Sequence, residues 1–183
     1  VVLSRGLGDV YKRQIYTDVD MINMRDMAEL VDLEVPKGKL CLARDGKRFG
    51  GKEFCVIVFD NAKWKKVVPA VETWKEDATA HHQFINMFIA NNLVGDLDPR
   101  WNSHDGDTDE IYQLHYTHMA TQPWQPKWFT GEVQEHPRKD LVEIYEKAYD
   151  EAVLEGYKLE DYEVDRGVKS VSYTHLTLPT ISD

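Results

Sequence analysis

The chain has 183 residues, with 22 Lys and Arg against 32 Asp and Glu, which gives a formal net charge of −10. This acidic balance argues against a nucleic-acid-binding or anionic-membrane surface. Cys41 and Cys55 lie in apolar runs without metal-ligand spacing, so we interpret them as buried, reduced thiols of a cytoplasmic protein without a disulfide scaffold. No apolar run in the sequence is long enough to span a bilayer.

Both ends of the chain resemble translated transposon-adapter DNA of the kind used to prepare sequencing libraries. The resemblance covers residues 4–14 and 171–180. We therefore expect residues 1–14 and 171–183 to be adapter-derived, and residues 15–170 to be a partial domain open at both ends. Without the two ends the chain keeps 19 basic against 30 acidic residues, a net charge of −11.

The first credible element is an apolar run, residues 15–22, that ends in two carboxylates, Asp18 and Asp20. Side chains alternate along a strand, so both acids are predicted to project from one face where the strand runs into a loop. Two hard oxygen ligands aimed at one point suit Mg²⁺ or Mn²⁺. A strand end with two solvated acids is the alternative interpretation.

The rest of the chain alternates helical and strand patterns, which favours an α/β fold. Residues 54–59 form an unbroken apolar run, typical of a strand buried on both faces. Loops rich in charge or aromatic residues are predicted at residues 45–53, 105–110 and 117–129. The predicted helices are residues 25–32, 63–68, 78–91 and 139–154, and the further predicted strands are residues 39–44, 54–59 and 112–116.

His115 lies at the end of the last predicted strand, far along the chain from the two acids. It could complete a site of two carboxylates and one histidine, although a histidine at a strand end is more often structural. The aromatic loop that follows carries Trp124 and Trp128, which could wall a sugar or a base. A role in the core is the alternative for both tryptophans.

Seven segments, in this order, resemble the metal-binding half of GT-A-fold glycosyltransferases, especially family 8 and its relatives in bacterial and viral genomes. The resemblance implies an α/β, GT-A fold, that is, a Rossmann-like nucleotide-diphospho-sugar transferase fold, truncated at its N-terminus. The portion that mainly holds the base and ribose in the family precedes the first segment. The segments are residues 16–22, 26–30, 58–63, 82–83, 98–102, 114–117 and 122–124.

The resemblance implies a role for each matching residue. Asp18 and Asp20 match the acids that bind Mn²⁺ or Mg²⁺ and, through the ion, the diphosphate of a nucleotide sugar. His115 matches the third protein ligand. Gln83 resembles the glutamine near the reacting sugar, although His82 stands where the family has an acid.

Further residues match the acceptor side and the phosphate grip. Trp101 and Asn102 resemble a turn that lines the acceptor, and Trp124 a sugar contact. Gln122 stands where relatives often have a lysine that contacts the phosphate. Lys127 would supply the missing positive charge.

The implied activity is metal-dependent transfer of a sugar from a nucleotide-diphosphate sugar, in the first instance a UDP-sugar, to a hydroxyl of a glycan or another acceptor. The resemblance implies retention. The sequence places no carboxylate as a covalent nucleophile, so we favour same-face substitution and leave the catalytic residue unassigned.

Two other functions fit parts of the sequence. An inactive or glycan-binding relative of the same fold is favoured by His82 and Gln122. A haloacid-dehalogenase-type phosphatase also has an Asp-x-Asp motif after an apolar strand, with Asp96 and Asp98 as its metal site. A calcium loop at residues 105–109 lacks the glycine and the glutamate that such loops need at positions 6 and 12.

Overall fold

The computed structural model of the chain describes residues 2–3, 13–48, 50–77, 79–125 and 129–158. These residues divide into two compact units, residues 2–119 and the described residues from 120 onward. Most of the predicted N-terminal adapter end, all of the C-terminal one, and both Lys127 and Trp128 lie outside the described residues.

The described residues of the first unit form eight short strands and four helices. Its strands are β1 Val2–Leu3, β2 Gln14–Thr17, β3 Met21–Asn23, β4 Cys41–Asp45, β5 Lys52–Phe59, β6 Val94–Asp96, β7 Ser103–His104 and β8 Gln113–His115. Its helices are α1 Ala28–Val31, α2 Asn61–Trp64, α3 Val71–Glu76 and α4 Ala80–Ala90, and a 3₁₀ helix covers Pro99–Asn102.

The strands form two sheets with parallel and antiparallel pairs. The larger sheet has the order β1-β2-β5-β4-β6, in which β6 runs parallel to β4 and the other pairs are antiparallel. The smaller sheet has the order β3-β8-β7, with β8 antiparallel to β3 and parallel to β7. The predicted α/β fold class is thereby confirmed.

Strand β5 is buried on both faces, as its unbroken apolar run predicts. Val56 and Val58 pack into one hydrophobic cluster with Leu30 and Trp101. Ile57 and Phe59 pack into a second cluster with residues of α4. The second cluster includes an aromatic group of Phe59, Trp64, Phe84 and Phe88.

Several predicted element boundaries are wrong. The predicted strand 15–22 is two strands, β2 and β3, in different sheets, with residues 18–20 in a bend between them. The observed loop is shorter than the predicted loop 45–53, because Lys52 and Glu53 already belong to β5. The Glu53 carboxylate accepts hydrogen bonds from the backbone N–H groups of residues 47 and 48. The short elements β6, β7 and α3 were not predicted, and predicted helices 25–32, 63–68 and 78–91 are shorter.

The second unit contains α5, Lys139–Leu154, whose predicted range is confirmed. Leu141 on this helix is buried. Trp124 packs against Tyr145, with ring centroids 5.0 Å apart, and Tyr145 stacks on Tyr149. This aromatic contact joins the loop of Trp124 to the helix within the unit.

Part of the predicted N-terminal adapter end is described. Val2 and Leu3 pair with Tyr16 and Ile15, and Gln14 belongs to β2. Backbone pairing of this kind does not depend on side-chain identity, so the adapter origin of residues 1–14 and 171–183 stays a prediction. Among the described residues, no helix combines the length and the apolar character that a membrane crossing requires.

Candidate metal centre

Asp18 and Asp20 lie where the chain passes from the larger sheet to the smaller one. The backbone N–H of Asp18 donates to the carbonyl of Cys55 at 2.9 Å, which extends the pairing of β2 with β5 by one residue. The carbonyl of Asp20 then accepts from the backbone N–H of Tyr116 beside β8. Both acids are therefore fixed by backbone hydrogen bonds, one to each sheet.

His115 ends β8 and is buried, with 5% of its surface exposed. Its Nε2 atom lies 3.3 Å from Oδ1 of Asp20. Its Nδ1 atom lies 2.9 Å from Oδ1 of Asn102, which is fully buried. Because an amide oxygen only accepts, Nδ1 donates, and the unprotonated Nε2 that metal binding requires would direct its lone pair at the site.

The structure brings the ligand atoms of Asp18, Asp20 and His115 within 4.8 Å of one another. Two carboxylates and an imidazole are an oxygen-rich donor set that suits Mn²⁺ or Mg²⁺. An unprotonated Nε2 and the carboxylate of Asp20, 3.3 Å apart, would face each other as two acceptors, a pair that a shared cation would stabilise. The residues thus fit a divalent ion, and ion binding stays a prediction.

Tyr16 contacts the same site from β2. Its hydroxyl donates to Oδ1 of Asp18 at 2.8 Å. Burial, with the hydrogen bond to Asp18 and its charge, raises the pKa of Tyr16 above its ordinary value. The phenol therefore stays protonated and remains a donor, which holds the Asp18 carboxylate in one orientation.

The sequence interpretation missed two further groups at the site, His104 and Cys55. His104 faces His115 directly in the parallel pairing of β7 with β8, and the two rings meet edge to face with centroids 5.1 Å apart. Cys55, on β5, is half-buried and hydrogen-bonded to the carboxylate of Asp18. Cys55 is thus half-buried where the sequence interpretation expects a buried thiol, and it shows no metal-ligand spacing because ligands that converge from separate strands leave none in the sequence.

Both added groups are uncharged in this environment. Burial, then the nearby charge of Arg44, lowers the pKa of His104, which keeps its imidazole neutral near pH 7. Burial and the carboxylate of Asp18 raise the pKa of Cys55 to about 12, which keeps it a thiol in the absence of a metal.

The other predicted sugar and acceptor residues lie elsewhere. Gln83 is exposed on α4, where its amide donates to Oγ1 of Thr79 at 3.1 Å. Trp101 is 3% exposed and packs edge to face on Tyr112, so the structure gives it a core contact. Asn102 contacts His115 instead of an open surface. The predicted acceptor roles of these residues stay predictions.

Gln122 and Trp124, two of the predicted phosphate and sugar contacts, belong to the second unit. Gln122 is buried, and its carbonyl accepts from the side chain of Gln125. Lys127 lies outside the described residues. Trp124 packs on α5, as described above. The predicted phosphate and sugar contacts of these three residues are not tested.

The phosphatase and calcium-loop alternatives require particular acids as metal ligands, and the structure gives these acids other contacts. Asp96 pairs with Lys52 at 2.6 Å, and Asp98 caps the 3₁₀ helix and pairs with Arg100. In the candidate calcium loop, Asp105 accepts from Thr117, and residue 107 is paired with an arginine. These contacts give each acid a structural role.

Comparisons with known proteins identify the fold. No protein-family model and no curated protein matches the chain. The chain is similar to the glycosyltransferase GlyE of Streptococcus pneumoniae TIGR4, with TM-score 0.50 and 17% identity over 79% of this chain and 42% of GlyE. It also matches the galactosyltransferase LgtC, solved with donor and acceptor sugar analogs, with TM-score 0.46 and 11% identity over 74% of this chain and 61% of LgtC.

The similarity to GlyE shows the fold, so the prediction of an α/β fold of the GT-A glycosyltransferase type is confirmed. Membership of family 8 stays a prediction. The chain spans less than half the length of GlyE. Sequence identity at this level carries no assignment of activity, because one fold hosts many functions.

Proposed function

We propose that the chain is part of a metal-dependent glycosyltransferase that uses a nucleotide-diphosphate sugar, a UDP-sugar in the first instance, and a hydroxyl acceptor. The observation that carries the proposal is the convergence of Asp18, Asp20 and His115 within 4.8 Å. The similarity of fold to GlyE supports the reaction class.

The protein would hold Mn²⁺ or Mg²⁺ with one oxygen from each acid and Nε2 of His115. A bound ion neutralises the negative charge that develops on the nucleotide diphosphate as it leaves. Asn102 would keep the His115 ring in the tautomer that binds, and Tyr16 would fix the Asp18 carboxylate. These side chains are held before substrate arrives, which reduces the cost of assembling the site.

Retention at the anomeric carbon, the sugar contact of Gln83 and the acceptor contacts of Trp101, Asn102 and Trp124 rest on the family resemblance. So do the phosphate contacts of Gln122 and Lys127. Product stereochemistry, read by NMR of the newly formed glycosidic bond, tests the first of these.

The test measures Mn²⁺ binding and UDP-sugar cleavage separately. Mn²⁺ binding to the metal-stripped full chain is followed by electron paramagnetic resonance, and UDP release from UDP-glucose and UDP-galactose is followed with and without Mn²⁺. Asp20→Asn should weaken Mn²⁺ binding at least about tenfold and lower UDP release. Asp109→Asn, which changes an exposed acid in a loop, is the matched control and should leave both unchanged.

The outcomes separate the three functions. Equal Mn²⁺ affinity in wild type and Asp20→Asn would remove the metal site. Mn²⁺ binding together with binding to a glycan array, without UDP release from any UDP-sugar, would favour the inactive or glycan-binding relative. Metal-dependent release of inorganic phosphate from a phosphomonoester, without UDP release, would favour the phosphatase.

A further inference from the structure

A second set of ligand atoms converges beside the two acids. Cys55, His104 and His115 each offer one ligand atom, and these atoms lie within 4.8 Å of one another. The three residues come from three strands, β5, β7 and β8. His104 and His115 are register partners in a parallel pair, which places both imidazoles side by side.

The His104 ring has one hydrogen-bonding nitrogen without a partner. Its Nε2 is buried, and it has no hydrogen-bond partner among the residues that the structure describes. A buried ring nitrogen without a partner costs free energy, so such atoms usually have a partner. A bound cation would satisfy it.

The chemistry of this set differs from that of the acid pair. A thiolate and two imidazoles are the nitrogen and sulfur ligands that Zn²⁺ takes in proteins, whereas Mn²⁺ and Mg²⁺ prefer oxygen. In a tetrahedral zinc site with bonds of about 2.0–2.3 Å, ligand atoms lie about 3.3–3.8 Å apart. Side-chain movements of about 1 Å would therefore close the three groups on one ion.

We propose that Cys55, His104 and His115 form a second cation site, with nitrogen and sulfur ligands, that takes Zn²⁺. On binding, the Cys55 S–H bond breaks, the thiolate sulfur donates a pair to the ion and the proton passes to solvent. The two imidazoles bind as neutral bases without losing a proton. A solvent water completes the four ligands.

This zinc site shares His115 with the candidate Mn²⁺ site. One ring lone pair binds one ion, so Zn²⁺ occupancy removes His115 from the acid pair. Zn²⁺ should then inhibit activity in competition with Mn²⁺, a consequence that rests on the proposed function. The zinc site itself does not depend on it.

The experiment measures metal binding directly in the full chain. Co²⁺ replaces Zn²⁺ as a spectroscopic probe, because a thiolate ligand gives a cobalt charge-transfer band in the near ultraviolet. Zn²⁺ affinity is measured by competition with a chromophoric chelator. We expect one Zn²⁺ per chain, the thiolate band with Co²⁺, and loss of that band in Cys55→Ser.

Matched variants assign the ligands. Cys55→Ser and His104→Gln should each weaken Zn²⁺ binding at least about tenfold. Cys41→Ala, which changes the other free thiol in the hydrophobic core, should not. Asp20→Asn should lower Mn²⁺ affinity more than Zn²⁺ affinity, whereas Cys55→Ser and His104→Gln should lower Zn²⁺ affinity more than Mn²⁺ affinity, so loss of one site is distinguishable from loss of the other.

Two results would overturn the zinc site. One is a wild-type Co²⁺ complex without a thiolate band, a measurement that needs no variant to fold. The other is Zn²⁺ affinity that is unchanged in both Cys55→Ser and His104→Gln, with melting temperatures close to that of wild type. Absence of UDP-sugar activity alongside intact zinc binding would count against the proposed function alone.

Discussion

Nδ1 of His115 donates a hydrogen bond to the side-chain oxygen of Asn102 at 2.9 Å, and both side chains are buried. This contact sets the tautomer of His115 and directs Nε2 toward Asp20, 3.3 Å away. Partners of this kind orient metal-binding histidines in many proteins. This contact favours a positioning role for Asn102 at the candidate site, a role that differs from the acceptor contact that the sequence resemblance implies.

Asn102→Leu should weaken Mn²⁺ binding by about 10–100-fold, because His115 loses the acceptor that fixes its ring. Nitrogen-15 NMR of the His115 ring should show Nδ1 protonated in wild type and a mixture of tautomers in the variant. Gln113→Leu is the control, since it removes another buried amide, from β8, whose oxygen makes no hydrogen bond to His115 or to any other described residue. An equal loss of Mn²⁺ affinity in both variants would mean that Asn102 acts only through packing.

His115→Ala should raise the Mn²⁺ concentration needed for half-maximal binding by at least about tenfold, with part of the loss recovered at high Mn²⁺. His118→Ala, at an exposed position, is the control. His104, which the sequence places in an acidic loop away from the site, is unsuitable as a control because its ring contacts His115. A His115→Ala variant with a lower melting temperature but unchanged Mn²⁺ dependence would make His115 a structural residue.

The elements that the sequence predicts well are those with a strong local pattern. Helix α5 carries a long apolar stripe and ends before Gly156, whose φ of 93° suits glycine, and its predicted range is confirmed. Strand β5 consists mainly of a continuous apolar run, residues 54–59. The strands β6 and β7 have only three and two residues, too few to show such a pattern. They form because they pair with strands that are distant in sequence.

The candidate site divides in the same way. The spacing of Asp18 and Asp20 is local, and it indicates two acids at one point from the sequence alone. The contacts of His115 with Asn102 and His104 depend on the pairing of β7 with β8, and the approach of Cys55 depends on the pairing of β2 with β5. These pairings are set by tertiary packing, which single-sequence patterns do not report.

Cys41 and Cys55 should react slowly with iodoacetamide in the folded, metal-free protein. Burial is the main cause that raises the pKa of each thiol to about 12, so very little reactive thiolate exists near pH 8. Modification of half-buried Cys55 should accelerate about tenfold for each pH unit toward that value. Mass spectrometry of timed samples in EDTA measures the rates, with the urea-unfolded chain as the fully reactive control. Rapid alkylation of Cys55 at pH 7 would show that its thiol is ionised.

Arg44 holds the turn that carries His104. Its guanidinium makes two hydrogen bonds to Asp107, at 3.1 and 2.7 Å, and also donates to the backbone carbonyl of Asn102. The Arg44 side chain is 12% exposed and that of Asp107 is 40% exposed, so solvent screens this pair only in part. Burial opposes ionisation of Asp107, but the hydrogen bonds and charge of Arg44 outweigh it and lower the pKa of that carboxyl.

Arg44→Met should therefore lower the free energy of unfolding by about 1–3 kcal/mol at neutral pH, measured by urea denaturation. Because the folded pKa of Asp107 is lowered, the stabilisation by the pair is present above the unfolded pKa of this acid and is lost as pH falls through the folded value. The difference between wild type and Arg44→Met should accordingly shrink on acidification. Arg48→Met, at an exposed position in the turn between β4 and β5, should have a free energy of unfolding within about 0.5 kcal/mol of wild type. A difference for Arg44→Met that does not change with pH would assign the effect to the Asn102 carbonyl contact and to packing, and would remove the contribution of Asp107.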